Sequence, residues 1–551
     1  MATANESLYS QSWGPLDTLQ AIPGPLEKPV PYFITAFLLF IFYFSVQQEK
    51  PSIASNAPML APKPRWDFTG LKVKYDFAVF GRAVMIWRAR QKPDEPYQVN
   101  TETGELTILP PIPYANEIRN HDDLSFDRVL DKKWGSLGEN GNAHMLVQNF
   151  HAYLPGFEPL REKNPYKPAL KHVIRTRLTQ FLAKLTVPMT DETTKALNDI
   201  VGDDQEWKPL VVKQNMVKIV ARVSTRIFGG EELARNDKWL KITSEYARTA
   251  FFASELLRIF PKSIRFVVHQ LNPFSWKLQG QMNDARRIIN PIVAKRRQAK
   301  KAAEDAGEDE PEYNDCLEWC EEASEEPIAD PAVPMLGLSF AAIHTTADVV
   351  TQSMIDLARN PEYFDVLRKE IGDVIRTDGW NKMGLYKMKV LDSFLKEVQR
   401  INPISMAAMH REATKPVTLS NGLELPVGAR ITVSCQQMWS SQVYPDPQRF
   451  DAYRYLRLRE RLGAGNDGAA HFVSTSPEHL GFGHGQHACP GRFFAANEIK
   501  IILCHLIMKY DWRLTGGDYK PKTTTFGLTN ETDAKATVEI RRREIDVSPK
   551  A

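Results

Sequence analysis

A single cysteine near the C-terminal end of the chain lies in a glycine-rich loop where it could bind a metal. Cys489 stands between Gly485 and Gly491, and a helical run follows the loop. A thiolate here would be a strong donor to iron, and backbone N–H groups that point at the sulfur would stabilise it. Gly483 and Gly485 allow positive φ and let the backbone approach a flat ligand closely. Gly491 lets the next helix begin against that ligand.

Two other roles would also fit a cysteine in such a loop. It could be a buried structural cysteine, or it could be a zinc ligand together with His484 and His487. The zinc interpretation is weak, because no second Cys or His pair lies nearby at the spacing of a zinc finger. A sulfur ligand to iron and a structural cysteine remain as the main alternatives.

The string around this cysteine favours iron. From Phe482 to Gly491 it reads Phe-x-x-Gly-x-His-x-Cys-x-Gly. It closely resembles the haem-binding loop of the cytochrome P-450 superfamily, in which an arginine usually stands where His487 does. The resemblance implies haem b as the cofactor, with Cys489 as the axial ligand of the iron. It also implies that Phe482, Gly485, His487 and Gly491 help to hold the cofactor.

A long apolar helix upstream carries a second matching pattern. In the family it crosses the distal haem face and reads Ala/Gly-Gly-x-acid-Thr-Thr, and Thr345 and Thr346 match its end. Ala342 replaces the glycine and His344 replaces the acid. The resemblance implies that Thr345 handles oxygen and protons. A histidine can relay protons at neutral pH, so His344 is a second catalytic candidate, with a plain core histidine as the alternative. Asp348 lies one turn further along.

A third element that matches the family is a helix with a Glu-x-x-Arg pattern. Glu397 and Arg400 are three residues apart, so they share a helix face. A pair on the surface would contribute little to stability, whereas a buried pair would need further partners. By resemblance, Arg454 in a downstream segment completes a triad that locks the fold behind the haem. Its role would be structural rather than catalytic.

The haem propionates need cations. Arg411 matches an arginine that often binds a propionate in this family, and His487 stands at another such position. The usual Trp-x-x-x-Arg pattern is missing from the early helix. His172, Arg175 or Arg177 could substitute for it, and the sequence does not distinguish among them.

The resemblance also suggests an apolar substrate pocket. Each position in it could equally be plain core. The candidates are Phe340, Ala341, Met406, Ala407, Phe526 and Leu528. The tighter motif strings resemble the fungal ent-kaurene-oxidase-like branch, whose members are microsomal enzymes of terpenoid, steroid and mycotoxin pathways. A bulky polycyclic substrate is therefore expected.

The elements that would position these residues are mostly helical. The chain has 551 residues, 43% of them hydrophobic, which is ample for a large core. The expected fold class is mainly α with a small β portion, as in the cytochrome P-450 fold, with a single catalytic domain over 67–551. Helices are predicted over 169–185, 212–228, 237–260, 331–360, 388–401 and 493–506. A hairpin is predicted around Gly104, and another over 417–433 around Asn421-Gly422. The acidic middle of the charged segment 295–326 predicts an exposed loop or frayed helix.

The N-terminal region predicts a membrane anchor. Residues 29–46 form an uncharged apolar run of about 18 residues, near the minimum that spans a bilayer. The positive flank follows the run, which predicts a lumenal tail over 1–28 and a cytoplasmic catalytic domain. Residues 47–66 form a proline-rich hinge. These features predict a single-pass protein of the endoplasmic reticulum, with Asn5 as a potential glycosylation site. A buried core helix is the alternative for the apolar run.

Composition and missing motifs restrict the partners. The net charge of +3 and the lack of a basic arm argue against nucleic acid, and five scattered cysteines argue against a disulfide framework. No Gly-x-Gly-x-x-Gly follows a predicted strand, so the chain should bind no nicotinamide or flavin itself. The family then implies an O2-dependent monooxygenase that receives NADPH-derived electrons from a membrane-bound NADPH–cytochrome P-450 reductase. Cytochrome b5 is a second potential donor.

Two functions from other classes remain open at this stage. One is a haem-thiolate isomerase or dehydratase that works without a reductase, and the other is a non-enzymatic haem carrier in the membrane. The retained Thr345 argues mildly against both.

Overall fold

A computed structural model describes most of the chain beyond the N-terminal tail. The described residues are 35, 36, 39, 55–67, 70–101, 104–126, 153–161, 165–258, 260, 264–463, 465–516 and 521–544. Asn5 and nearly all of the predicted anchor lie outside them.

Helices make up most of the described chain. In chain order they are Leu71–Gln91 (α1), Tyr114–Ile118 (α2), Lys167–His172 (α3), Leu178–Gln180 (α4), Leu182–Ile200 (α5), Val212–Phe228 (α6), Gly230–Ala234 (α7), Asp237–Arg258 (α8), Arg265–Leu271 (α9), Pro273–Ala306 (α10), Cys316–Glu322 (α11), Ala332–Arg359 (α12), Tyr363–Asp378 (α13), Lys382–Lys387 (α14), Lys389–Ile401 (α15), Arg454–Leu462 (α16) and Arg492–Lys509 (α17). A π turn, Val173–Arg177, joins α3 to α4.

The strands are short and form a minor part of the fold. They are Tyr97–Thr101 (β1), Gly104–Leu109 (β2), Leu124–Ser125 (β3), Lys208–Val211 (β4), Ala407–Ala413 (β5), Val417–Thr418 (β6), Glu424–Leu425 (β7), Arg430–Ser434 (β8), Tyr510–Leu514 (β9), Thr524–Phe526 (β10), Thr529–Glu531 (β11) and Thr537–Arg542 (β12). The largest sheet has the order β1-β2-β8-β5-β3, with β2 and β8 parallel. A second sheet has the order β4-β12-β9, and β6-β7 and β10-β11 are separate hairpins.

The central helix α12 organises the core. It is apolar almost all round and packs against α6, α8, α10, α15 and α17. A helix without a polar face has to be covered on every side, which explains why it runs through the middle of the domain. Among the residues that the structure describes, it is the one helix long and apolar enough to cross a membrane, but most of it is buried inside the protein.

The predicted fold class is confirmed: the chain is mainly helical with a small β portion. Several predicted elements also have close to their predicted bounds. Val212–Phe228 is a helix at the predicted positions, and α12, α15 and α17 differ from the prediction by one to three residues. The hairpin at Gly104 is present as β1 and β2.

Two sequence predictions were wrong in detail. The helix predicted over 169–185 is interrupted by the π turn and by Phe181, after which α5 begins. The structure has only the short hairpin β6-β7 where a long hairpin was predicted over 417–433. The reason is that β8 pairs with β2 and β5 instead. In the helix predicted over 169–185, a local backbone irregularity overrides the periodic pattern. In the hairpin predicted over 417–433, strand partners distant in sequence override it. The prediction for the charged segment 295–326 is confirmed: α10 ends at Ala306, and its acidic middle continues as a mostly exposed loop over 307–314.

Candidate functional site

Short backbone hydrogen bonds hold the cysteine loop in shape. The N–H of Cys489 donates to the carbonyl of Phe482 at 2.8 Å, and the N–H of Gly483 donates to the carbonyl of Leu480 at 2.8 Å. Gly483 and Gly485 have φ of 71° and 80°, the region that favours glycine. Because the Cys489 N–H bonds to the Phe482 carbonyl, the position of Cys489 depends on the segment just before Gly483.

The sulfur of Cys489 lies in a mixed electrostatic environment. Burial raises the pKa of its thiol, while the backbone N–H groups of Gly491 and Arg492 and the Arg492 charge lower it. The Arg492 guanidinium also donates to the carbonyl of Cys489 at 2.8 Å. The two backbone N–H groups point at the atom that would carry the negative charge of a metal-bound thiolate, so they suit a thiolate ligand.

The two flanking glycines serve different purposes. A Cβ on Gly485 would lie 2.5 Å from Cβ of Arg119 and 2.8 Å from its carbonyl oxygen, so the close approach there is to the chain and not to a ligand. Among the described residues, a Cβ on Gly491 would meet only Ile174, at 4.0 Å. In that part of the chain, the face beside Gly491 therefore has room for a further group.

His484 fixes the same loop to its surroundings. One ring nitrogen lies 3.2 Å from Oγ1 of Thr475 and the other lies 3.2 Å from Oδ1 of Asn116 in α2. These contacts use both ring nitrogens, which leaves neither available as the zinc ligand that the sequence left open. Among the described residues, no group of three or more metal-ligating side chains is present.

Arg411 is a buried cation in β5. Its Nη1 donates to the carbonyl of His410 at 2.8 Å, whereas Nε and Nη2 have no hydrogen-bond partner among the described residues. Burial lowers its pKa to about 10. The strand bulges between Ala408 and Arg411, and Met409 has φ of 58°. The bulge breaks the regular alternation of side chains and so affects where the guanidinium points.

One aromatic ring is close to both Arg411 and His487, the two candidates for propionate binding. The Phe126 ring is 5.9 Å from the Arg411 guanidinium and 5.5 Å from the His487 ring. The structure thus brings Arg411 and His487 to one place. The early-helix candidates differ: His172 and Arg175 are exposed, and Arg177 pairs with Glu322 at 3.4 Å.

The central helix α12 is open at one place. From Ala332 to Ala358, the exposed residues are Ala341 and Thr345, four positions apart on one face. Oγ1 of Thr345 donates back to the carbonyls of Ala341 at 2.9 Å and Ala342 at 3.2 Å. Thr346 is buried. The helix thus presents a hydroxyl and small side chains to open space in an otherwise covered stretch.

Two polar contacts tie α12 to its neighbours beside this opening. Nε2 of His344 lies 3.0 Å from the carbonyl oxygen of Ser244 in α8, and burial lowers the pKa of this histidine. Asp348 accepts from the N–H of Thr532 at 3.1 Å and pairs with Lys213 at 3.1 Å. Asp348 is therefore engaged in joining α12 to the C-terminal hairpin and to α6.

The Glu-x-x-Arg residues lie in a buried ion cluster. Both Glu397 and Arg400 have fully buried side chains, and the carboxylate accepts from Arg400 at 2.7 and 2.8 Å. Arg454 donates to both carboxylate oxygens at 3.1 Å. The Arg400 guanidinium also donates to the carbonyl of Met438 at 2.6 Å. The surface-pair alternative is excluded, because a glutamate with two arginines is enclosed here.

Some candidates for the substrate pocket are buried in the core, and others lie at the open surface. Met406, Ala407 and Leu528 are buried in a core cluster, so their side chains have little surface to offer a ligand. Phe340 is half-buried, and Phe526 is 44% exposed. The open candidates are therefore those on α12 and at the tip of the C-terminal hairpin.

The residues present fit a haem. The half-buried Cys489 has backbone donors beside its sulfur, no described residue crowds the space beside Gly491, and Arg411 is a buried cation without a described anionic partner. An anionic group near Arg411 would remove the cost of burying its charge alone. This fold and this loop define the class of haem-thiolate proteins.

Comparisons with known proteins agree. Residues 146–536 match the cytochrome P-450 family. The chain is 41% identical over 499 residues to the cytochrome P-450 monooxygenase hepE of Aspergillus oryzae, covering 90% of this chain and 87% of that protein. It is 38% identical to the monooxygenase TRI1 of Fusarium sporotrichioides, covering 90% and 87%. The structure of retinoic-acid-bound cyanobacterial CYP120A1 matches with a TM-score of 0.61 at 17% identity, covering 88% of this chain and 99% of that one.

The chain therefore belongs to the cytochrome P-450 family, and it is a monooxygenase with fungal relatives. Its cofactor is haem b, and its reaction uses O2 and electrons from a redox partner. The sequence-based recognition of the family is confirmed.

Several positions in the site were not identified from the sequence. Arg119, Phe126 and Gln399 lie close to the cysteine loop, and Ser244 contacts His344 on α12, although all four are far in sequence from the residues they meet. None carries a local spacing signal, and Ser244 contributes only its backbone carbonyl.

Proposed function

We propose that this protein is a membrane-anchored haem-thiolate monooxygenase that oxidises a bulky apolar compound such as a terpenoid, a steroid or a related secondary metabolite. Its electrons come from NADPH–cytochrome P-450 reductase, with cytochrome b5 as a second donor. The observation that carries the proposal is the half-buried Cys489, whose sulfur faces the backbone N–H groups of Gly491 and Arg492.

In this proposal, the loop and the cations hold the cofactor. When bound, haem supplies the activation of O2 and the insertion of one oxygen atom into a C–H bond. The sulfur of Cys489 would bind the haem iron, and the Phe482 carbonyl fixes the backbone of that residue at 2.8 Å. Arg411 and His487 would bind the propionates. The three residues Glu397, Arg400 and Arg454 hold the fold behind the cofactor.

Thr345 is the proposed organiser of proton delivery. Its hydroxyl already bonds to the carbonyls of Ala341 and Ala342, so it can bend the helix there and hold a proton donor at the open face. His344 is either a relay or a positioning residue. Because Nε2 faces the carbonyl of Ser244, a relay would have to use Nδ1. Thr346 is the alternative to Thr345.

The shape of the open face supports a large substrate. Ala341 and Ala342 have minimal side chains, and they leave space beside Thr345. Phe340 and Phe526 would supply apolar walls, and the buried Met406, Ala407 and Leu528 would support them from behind. Binding of a bulky apolar compound would then be driven mainly by removal of apolar surface from water.

Exposed aromatic and aliphatic side chains support a membrane location. They occur in the segment before α1, on α1 itself and around α9 and the start of α10. The members are Trp66, Tyr75, Val79, Phe80, Phe266, Val267, Leu271, Phe274 and Trp276. Large exposed rings of this kind suit the interface of a bilayer. With the apolar run 29–46, they support a single-pass protein of the endoplasmic reticulum with its catalytic domain in the cytoplasm and Asn5 in the lumen.

The decisive experiment combines a spectrum with turnover. We would express the wild type, Cys489→Ala and the control Cys435→Ala, which alters a buried cysteine of the large sheet region. Wild type and control should show the thiolate-type Soret band of the reduced carbon monoxide complex, and Cys489→Ala should lose both the band and product formation. A normal band in Cys489→Ala would refute the assignment.

The same preparations separate the alternative functions. Membranes that contain the protein and the reductase would be given candidate terpenoids and steroids, with and without NADPH. Product formed only with NADPH supports the monooxygenase. Product formed without NADPH would instead identify a reductase-independent isomerase or dehydratase, and a thiolate band with no turnover but with haem transfer to an acceptor would identify a carrier.

A further inference from the structure

Gln399 occupies an unusual place against the start of the cysteine loop. It lies on α15 between Val398 and Arg400 and is only 2% exposed. A Cβ added to Gly481 would overlap its Cδ and Oε1 and lie 2.7 Å from its Cγ. The three nearest atoms to that Cβ all belong to Gln399. The glutamine side chain therefore fills the space that any other residue at position 481 would need.

Hydrogen bonding does not explain why the side chain lies there. Its Oε1 is buried and has no hydrogen-bond partner among the described residues. An unsatisfied buried oxygen is costly, so the position must be favoured by packing. Gly481 does not have a positive φ, unlike Gly483, so an alanine at 481 would suit the backbone. The nearest obstacle to a side chain at 481 is therefore Gln399 and not the backbone conformation.

One backbone hydrogen bond connects the residue beside the Gln399–Gly481 contact to Cys489. Gly481 is followed by Phe482, whose carbonyl accepts the N–H of Cys489 at 2.8 Å. A neighbouring contact on the same side joins His479 to the carbonyl of Lys396 in α15 at 3.4 Å. The segment 479–482, whose backbone positions Cys489, thus lies along α15. The Gln399 side chain packs between that segment and the helix.

We infer that Gln399 is a positioning residue for the thiolate: its side chain holds the Gly481–Phe482 backbone and thereby keeps the Cys489 sulfur in place. The inference rests on the proposed haem-thiolate function and adds to it a residue that acts through Gly481. The proposed positioning role depends on the shape of the Gln399 side chain and not on its polarity. A methionine, which is unbranched and of similar length, should therefore replace it with little effect.

The test uses the complete haem-loaded protein and follows the reduced carbon monoxide spectrum over time. In Gln399→Ala the loop gains freedom, so the thiolate-type band should convert to the thiol-type band roughly tenfold faster, the rate effect of about 1.4 kcal/mol. Gln399→Met should behave as wild type. Gln281→Ala is the matched control, because Gln281 is also buried with an unpartnered Oε1 but lies on α10.

A second experiment tests whether a smaller residue at 399 compensates for a larger one at 481. Gly481→Ala should lose the thiolate-type band because its methyl group displaces Gln399, and the double variant Gly481→Ala/Gln399→Ala should regain it at least in part. A wild-type spectrum in Gly481→Ala would overturn the inference, and so would a double variant that is no better than Gly481→Ala. Equal conversion rates in Gln399→Ala and Gln281→Ala, or a Gln399→Met variant as labile as Gln399→Ala, would overturn it too. If wild type itself lacks the thiolate band, the proposed function fails instead.

Discussion

His344 and Ser244 are 100 positions apart in sequence, yet Nε2 of the histidine lies 3.0 Å from the serine carbonyl oxygen. The contact joins α12 to α8 one residue away from Thr345, where α12 is open. A carbonyl can only accept, so Nε2 carries the proton and Nδ1 is the nitrogen that remains for proton transfer. Burial lowers the pKa of the ring, which keeps it neutral near pH 7.

We expect His344→Ala to reduce stability rather than coupling. The variant loses one partly buried hydrogen bond, a loss of about 1 kcal/mol in the free energy of unfolding. Product formed per NADPH consumed should remain near the wild-type value. His344→Gln is the matched control, because it can still donate to the carbonyl but cannot be protonated. If both variants raised hydrogen peroxide at the expense of product, His344 would be a relay.

Thr345→Ala should separate electron consumption from product formation. The hydroxyl that bonds to the Ala341 carbonyl at 2.9 Å is removed, but no contact with the Cys489 loop changes. Haem content should stay normal while NADPH is consumed and hydrogen peroxide replaces product. General acid assistance is worth about 10²–10⁴-fold, so the loss of product should be large. Thr345→Ser keeps a hydroxyl and should retain most of the yield. Unchanged peroxide and product in Thr345→Ala would move the role to Thr346.

Arg411→Leu should affect the haem-free and haem-loaded proteins in opposite directions. Without haem, the variant no longer buries a guanidinium with two nitrogens that lack a partner among the described residues, so its free energy of unfolding in urea should rise. With haem, the proposed propionate partner is lost, so haem should dissociate faster to a scavenger protein. Arg492→Leu is a contrasting variant, because Arg492 bonds to the Cys489 carbonyl. Slower haem loss in Arg411→Leu would contradict the propionate role.

Glu498 should make stability depend on pH. It is fully buried on α17, and its one hydrogen-bond partner that the described structure shows is Ser224 at 2.6 Å. Burial raises its pKa from 4.5 to about 8. The folded state therefore keeps a proton that the unfolded state releases, so this contribution to stability is complete below pH 4.5 and is lost as the pH rises to about 8.

Glu498→Gln mimics the protonated carboxyl and removes this dependence. We expect the variant to be more stable than wild type, by a margin that grows between pH 5 and 8 at up to about 1.4 kcal/mol per pH unit. Urea unfolding at several pH values measures it. A constant difference across that range would show that the carboxyl is already ionised in the folded protein.

Deleting residues 1–50 should release the protein from membranes in part and leave haem binding intact. The deletion removes the predicted anchor but keeps the exposed aromatic residues of α1 and α9, so some membrane affinity should remain. Flotation of the full and shortened proteins with lipid vesicles, together with haem content, measures both effects. Lost haem with unchanged membrane partition would show that the apolar run belongs to the core.

The sequence by itself determined the chemistry and the local elements. The string around Cys489, the pair Glu397 and Arg400 and the helical periodicity of 212–228 depend on spacings of a few residues. Local spacing is set by the geometry of turns and helices, so it can be recognised without a partner. The family resemblance, the fold class and the haem were all predicted in this way.

Only the tertiary structure decided which residues meet across long distances in sequence. Gln399 against Gly481, His344 against Ser244 and β8 between β2 and β5 have no local signal. The burial of Arg411 and the core position of Met406 likewise depend on what packs around them. Such contacts depend on how the whole core fills its space, because close packing couples side chains that the chain order keeps apart.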